Sequence, residues 1–228
     1  MRTLVCDRPG DIAISDRPRP SPRPGQVLVR IRRAGVCGTD LHIFEGSHPF
    51  LEYPRVIGHE LSGEVAETGP GCAIAVGQQV YVIPYLACGV CIACRRGKTN
   101  CCQRIAVLGV HIDGGMADYV CVPEANVAPA DGITLDQAAM IEFLAIGAHA
   151  IRRASPRTGD RILVVGAGPA SAVFCSASSK GARSQPSTSV RTGSTSAATN
   201  LALITRSRRG RTRVKRCPRS PPATSSTS

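Results

Sequence analysis

The sequence predicts a mainly β domain of barrel or sandwich type over residues 1–150, the opening strand of an α/β unit over 151–170, and a basic tail over 171–228 that is expected to be disordered. Three observations carry this expectation. Short strand-like segments bounded by glycine and proline recur as far as Pro123; one helical stretch and one buried-type strand close the folded part; and the charge balance breaks at Ala170.

Gln26 to Ile31 reads as a strand, as do Gly63 to Glu67, Gln79 to Pro84 and Ala117 to Pro123. Strands this short, separated by turn residues, suit a closed barrel or two packed sheets. From Leu135 to Arg153 the pattern changes. Ile141, Leu144, Ala148 and Ile151 recur at helical intervals behind an N-cap candidate, Thr134, so this stretch is predicted as a helix. Asp160 to Gly168 (DRILVVGAG) then runs from apolar β-branched residues into glycines, which is how a βαβ unit begins.

The 43% apolar content is enough for a core, but the net charge of +12 is unevenly placed. Ser171 to Ser228 holds 11 of the 28 basic residues and none of the 16 acidic ones, with 22 Ser or Thr among 58 residues. Such a segment cannot offset the entropy of ordering itself. Met1 to Cys6 lacks the apolar core of a signal peptide, and no apolar run approaches the roughly 20 residues of a membrane span. The chain is therefore expected to be soluble and cytoplasmic. There, cysteines clustered at short spacing are better read as metal ligands than as disulfide partners.

Cys88, Cys91 and Cys94, followed by either Cys101 or Cys102, lie in a loop of glycine and small residues. Thiolates at that spacing can converge tetrahedrally at roughly 2.3 Å from Zn²⁺. With four sulfurs bound, no position is left for water or substrate, so the expected role is to pin a lobe with little core. A structural zinc of this kind contributes on the order of 10 kcal/mol.

A second constellation lies upstream: GVCGTDLH, Gly35 to His42, and GHELSGEVAETGPGC, Gly58 to Cys72. The second segment, with its GHE, Gly63, Gly69 and small residue at Cys72, resembles the pattern of the zinc-containing medium-chain alcohol and polyol dehydrogenases. Both motifs and the cysteine loop stand in that family's order, and the resemblance covers Met1 to Pro169. It implies a GroES-like β-barrel and selects Cys102 over Cys101 as the fourth ligand of a structural zinc. It also implies a catalytic zinc at Cys37 and His59 with a carboxylate, Glu60 or Glu142, as the third ligand. Soft thiolate, imidazole and one acid suit Zn²⁺ and leave one position open for an alcohol oxygen, whose proton then leaves more easily.

Thr39 and His42 stand where the family places its proton relay; by themselves they read as a turn cap and a solvated loop residue. His48, His111 and His149 have no motif around them and read as ordinary polar or packing residues. Glu142, in IEFLAIGAHA, matches the acid that the polyol, threonine and sugar-acid branch carries in an EPL segment, which implies an alternate or water-mediated zinc ligand; Phe143 replaces the proline, and outside the motif Glu142 reads as a helix carboxylate with no metal role. Pro49 to Glu60 and Pro84 to Asn126 are most similar to sugar-acid dehydrogenases such as the L-galactonate and L-idonate 5-dehydrogenases.

The implied reaction is oxidation of a secondary alcohol of a polyol or sugar acid to a ketone, with NAD(P)⁺ as hydride acceptor. Gly166 and Gly168 resemble the first glycines of the family's pyrophosphate-binding turn. The third glycine is replaced by Ser171, and no acid follows Asp160. A shift of reading frame near Ala170 accounts for the break. When the third base of each codon is read with the first two of the next, permissive synonymous choices turn Pro186 to Thr205 into a second Rossmann strand and helix. These carry an aspartate about 20 residues past the glycines. On this reading residues 171–228 are out of frame, the strand at Ile162 to Val165 stands without neighbours, and the chain has little or no dehydrogenase activity. Family members are homo-oligomers, commonly through the cofactor domain. Two other readings stand beside this one. The first is a zinc-stabilised interaction module without catalysis. The second is nucleic-acid binding through the basic run Thr205 to Arg216, which lacks aromatics for base stacking and is not expected.

Overall fold

A computed structural model describes residues 1–157, 161–165, 168–170 and 183–187. The chain opens with a hairpin, β1 (Arg2–Arg8) and β2 (Asp11–Asp16), turned at Gly10 with φ +75°. There follow β3 (Gln26–Gly35), α1 (Gly38–Glu45), β4 (Arg55–Val56), β5 (Glu60–Thr68) and β6 (Gln79–Val82). β7 (Tyr85–Leu86), α2 (Ile92–Arg95) and β8 (Ala106–Val107) form a lobe that leaves the barrel and returns to it. β9 (Tyr119–Pro123), β10 (Val127–Pro129), α3 (Leu135–Ala139) and α4 (Ile141–Ala154) complete the mainly β domain.

The main sheet is antiparallel, in the order β10-β6-β5-β3-β9, and β2-β1-β4 form a smaller sheet linked to it by the Thr3–Ala117 bridge. Alternate side chains of these strands meet inside. Val27, Val29, Leu61, Val65, Val80, Val82, Val120 and Val122 form one buried core, closed by Leu108 and Val127. A second, smaller core gathers Cys6, Ile43, Ile57 and Val110, and seats α1 against β1 of the smaller sheet. Two glycines of the GHE segment are required by close strand packing: a Cβ at Gly63 would lie 2.0 Å from the Arg30 carbonyl oxygen, and one at Gly69 2.0 Å from that of Arg23. The spacing seen in the sequence is therefore a packing constraint as much as a chemical one.

Four predicted strands are present as β3, β5, β6 and β9, and β3 and β5 run further than their apolar runs suggest. Thr134 caps its helix as expected, its Oγ accepting from Gln137 N at 3.2 Å while Gln137 Oε1 accepts from Thr134 N. The single helix predicted over Leu135–Arg153 is divided at Met140 into α3 and α4, a turn that sequence periodicity does not mark. The short helix α1 carries Thr39 and His42, so neither sits in the turn or loop that its residue type suggests outside the motif.

Beyond this domain, β11 (Arg161–Val165) is the expected strand. It does not stand alone. A further strand, β12 (Arg183–Ser187), pairs with it in parallel from Arg161↔Arg183 to Val165↔Ser187, so one edge expected to be bare is covered by a segment of the basic tail. An open strand edge offers hydrogen-bonding groups to any extended backbone, whatever its side chains. Gly168 is described and Gly166 lies outside the described residues, as does most of the tail. No described helix is long and apolar enough to cross a membrane.

Candidate metal centres

Among the described residues, two groups of side chains place their donor atoms within 4.8 Å of one another: Cys37 with His59 and Glu60, and Cys88 with Cys91, Cys94 and Cys102. They are built in opposite ways.

The first is assembled by the barrel. β3 delivers Cys37 just beyond its end, at the N-terminus of α1, while Glu60 begins the neighbouring strand β5 and His59 immediately precedes it. The pairing Gly35↔Glu60 sets the two segments side by side, and the lack of a side chain at Gly35 makes room for the acid, because a Cβ there would lie 2.1 Å from Glu60 Oε2. Asp40 fixes both halves. Its buried carboxylate accepts from Cys37 N at 2.9 Å and from Gly58 N at 3.2 Å, clamping the loop of one ligand to the residue before the other. Gly58 itself has φ +98° and sits where a Cβ would strike Met116.

The electrostatics of the three groups are mutual. A hydrogen bond with His59 lowers the Cys37 thiol against the opposing effect of burial. For His59, burial works against the charged form, but Cys37 and the negative charge of Asp40 outweigh it and raise the imidazole to about 8. Burial raises the Glu60 carboxyl. His59 Nδ1 is buried without a hydrogen-bond partner and lies 3.9 Å from Asp40 Oδ1. One thiol, one imidazole and one carboxylate converging in a buried place, with an unpaired ring nitrogen among them, fit a divalent ion of zinc's character.

The predicted relay residues lie beside this group. Thr39 Oγ1 is 3.7 Å from Cys37 Sγ. His42 is one turn further along α1, half-buried, with Nδ1 3.2 Å from Ser47 Oγ. Glu142 is not among the converging donors; the Tyr85 hydroxyl donates to its Oε1 at 2.5 Å. Burial, followed by this bond, raises the Tyr85 phenol well above its ordinary value. Behind Glu60 an open recess of about 230 Å³ is lined by Arg33, Gly35, Asp136, Met140 and Phe143. Sequence reasoning passed over Asp40 and Tyr85. The first had a readable signal, an acid at the third position of a helix whose N-cap is Cys37, and the second had none.

The second group is local. Cys91 Sγ lies 3.5 Å from Cys94 Sγ and 4.0 Å from Cys102 Sγ, and Cys88 Sγ lies 4.0 Å from Cys94 Sγ. Backbone N–H groups point at the sulfurs: Cys88 N and Arg104 N reach Cys102 Sγ at 3.3 and 3.4 Å. Backbone N–H groups of Val90 and Cys91 draw Cys88 down to about 6, and those of Cys94 and Gln103 lower Cys91. Loss of hydration and the neighbouring sulfurs push Cys94 up to about 12. Such a nest of N–H groups holds several thiolates at once only when a cation shares their charge. Cys101 is exposed and outside the cluster, so the geometry agrees with Cys102 as the fourth member. His48 and His111 accept local backbone hydrogen bonds and His149 pairs with Arg152, as expected of residues outside any site.

Residues 23–132 match the family described as the alcohol dehydrogenase GroES-like domain. L-galactonate-5-dehydrogenase of Escherichia coli K12 is 50% identical over 170 residues, covering 74% of this chain and 50% of that protein. A zinc-type alcohol dehydrogenase-like protein of Haemophilus influenzae is 35% identical over 171 residues, covering 74% of this chain and 50% of its own length. Among solved structures, the E. coli CFT073 alcohol dehydrogenase rspB complexed with NADH superposes with a TM-score of 0.73 at 39% identity, over 78% of this chain and 52% of that one. The chain spans about half the length of the curated relatives it matches.

Proposed function

We propose, for a chain that carries the GroES-like domain of the zinc-dependent medium-chain alcohol and polyol dehydrogenases, that its open site oxidises a secondary alcohol of a polyol or sugar acid with NAD(P)⁺ when a complete cofactor domain is present. The observation that carries this reading is the convergence of Cys37, His59 and Glu60 within 4.8 Å at the junction of β3, α1 and β5. Cys37 thiolate, His59 imidazole and Glu60 carboxylate would hold zinc, which supplies Lewis acidity to an alcohol oxygen. Asp40 keeps two of these ligands at a fixed separation through its bonds to Cys37 N and Gly58 N. Thr39, beside Cys37, would accept the alcohol proton, and His42, part-exposed and next to Ser47, would pass it to solvent. NAD(P)⁺, when bound, would supply the acceptor for the carbinol hydrogen as hydride, so that with the proton taken by Thr39 the alcohol would lose two electrons and two hydrogens to become a ketone. The 50% identity to L-galactonate-5-dehydrogenase favours a sugar acid as the alcohol.

The four-cysteine lobe has the separate task of fixing the excursion between β7 and β8. The segment after Ala170 enters this reading as an out-of-frame continuation. Ser171 replaces the third glycine and no acidic residue follows, so the 228-residue chain by itself is expected to give little or no NAD⁺ reduction across a polyol and sugar-acid panel. Sequencing the gene tests the frame; one uninterrupted frame with these codons throughout the species would remove that part of the proposal.

The decisive measurement is zinc content by mass spectrometry or atomic absorption. Two ions per chain are expected, falling to one in Cys37→Ser and to one in Cys94→Ser. A count unchanged by Cys37→Ser would refute the open site.

A further inference from the structure

The Tyr85–Glu142 pair stands at the edge of the open site and has no part in the scheme above. Its two members are held very differently. Tyr85 is fixed through its backbone: β7 pairs Tyr85↔Val107, and Asn126 Nδ2 donates to the carbonyl oxygens of Ile83 at 2.9 Å and of Tyr85 at 3.1 Å. Glu142 lies in the first turn of α4, two residues beyond the turn at Met140, on a side chain with three rotatable bonds. Its charge acts on His59 and Glu60, and those of Cys37 and Glu60 act on Tyr85, so the pair and the converging ligands share one electrostatic neighbourhood. Yet the Glu142 oxygens are not among the donors that meet there. Glu142 Oε1 instead accepts a 2.5 Å hydrogen bond from the Tyr85 hydroxyl.

A tetrahedral ion held by Cys37, His59 and Glu60 has one position left, and catalysis at such an ion depends on that position remaining exchangeable. Glu142 stands between Met140 and Phe143, which line the recess beside Glu60, so its tethered carboxylate is a competitor for that position at an effective concentration no dissolved alcohol approaches. We propose that Tyr85 is a positioning residue: its hydroxyl holds the Glu142 carboxylate back from the metal and so reserves the fourth coordination position for a substrate hydroxyl. A short hydrogen bond to an ionised carboxylate is strong enough for this task, and a phenol supplies it without bringing a positive charge that would repel the ion. The proposal rests on the metal reading of the open site given above.

The test uses the 228-residue chain with Co²⁺ at the open site, whose visible absorption reports the ligand set, and imidazole as the probe of the free position. Wild type and Glu142→Gln should share one spectrum and bind imidazole alike. Tyr85→Phe, which keeps the ring, should shift the spectrum and weaken imidazole by about tenfold or more, and the Tyr85→Phe/Glu142→Gln double variant should return both to wild type. An unchanged spectrum and imidazole affinity in Tyr85→Phe overturns the proposal. So does a change that persists in the double variant, because Tyr85 would then act without Glu142. Absence of Cys37-dependent cobalt in the unsubstituted chain overturns the metal site itself, a failure visible before any change at Tyr85.

Discussion

The two candidate metal centres bring their donor atoms together by opposite routes. In the four-cysteine lobe all ligands fall between Cys88 and Cys102, α2 buries no residue, and Val90 and Ile92 remain exposed. Almost nothing apolar holds this loop, so there a bound metal would make the structure. At the open site Cys37 follows β3 and His59 precedes β5, and their meeting depends on the Gly35↔Glu60 register and on a buried Asp40. Here the structure makes the metal site. Closed coordination can be local because it needs only flexible loops, whereas an open position needs a rigid frame that keeps a fourth ligand from collapsing inward.

The largest expected effect is on the lobe. In Cys94→Ser, or after chelation, limited proteolysis should cut rapidly between β7 and β8, since binding worth on the order of 10 kcal/mol is removed from a segment with little core. Cys37→Ser should leave that stretch protected; equal sensitivity in both variants would erase the contrast. Next comes Asp40→Ala, which leaves the N–H groups of Cys37 and Gly58 without their partner at a cost of roughly 1–3 kcal/mol each where they stay dry. Thermal melts should show the loss, and metal analysis should find the open site depleted with the lobe zinc retained.

A smaller and more selective change is Gly35→Ala, whose new methyl must displace the Glu60 carboxylate. Competition with a chelator should show metal affinity at the open site falling by about 10- to 100-fold while the melting temperature moves little. The smallest effect concerns neither centre. Arg2 lowers the Asp118 carboxyl, through side-chain and backbone hydrogen bonds of 3.0 and 2.7 Å. Because the folded value is depressed, the contact stabilises above the ordinary aspartate range and is lost as pH falls through the lowered value. Asp118→Asn should therefore lower the melting temperature slightly at neutral pH and not at all in strong acid. The pair is partly exposed, so a drop of many degrees would contradict this.

Legibility differed between the centres for the same reason that their construction does. The lobe was readable because four cysteines at short spacing are chemistry and geometry at once. Cys37, His59 and Glu60 were found through the resemblance carried by their flanking motifs, since no spacing rule connects residue 37 to residue 59. Asp40 passed as an ordinary polar residue because its importance lies in Gly58 N, 18 positions away. Tyr85 was invisible, its partner Glu142 being 57 residues distant. The turn at Met140 and the pairing of β11 with β12 escaped for a related reason, as each is decided by neighbours rather than by the residues themselves.

By itself the sequence determined the mainly β class, the capped helix behind Thr134, the four-cysteine loop and the break in charge at Ala170. Each follows from short-range chemistry: periodicity, caps, turn residues and ligand spacing. Only the tertiary structure decided that Glu60 joins Cys37 and His59 while Glu142 is turned toward Tyr85, because that choice depends on strand register and on hydrogen bonds across the barrel. A one-residue slip between β3 and β5 would leave every residue of the motif in place and send the ligands to opposite faces of the sheet.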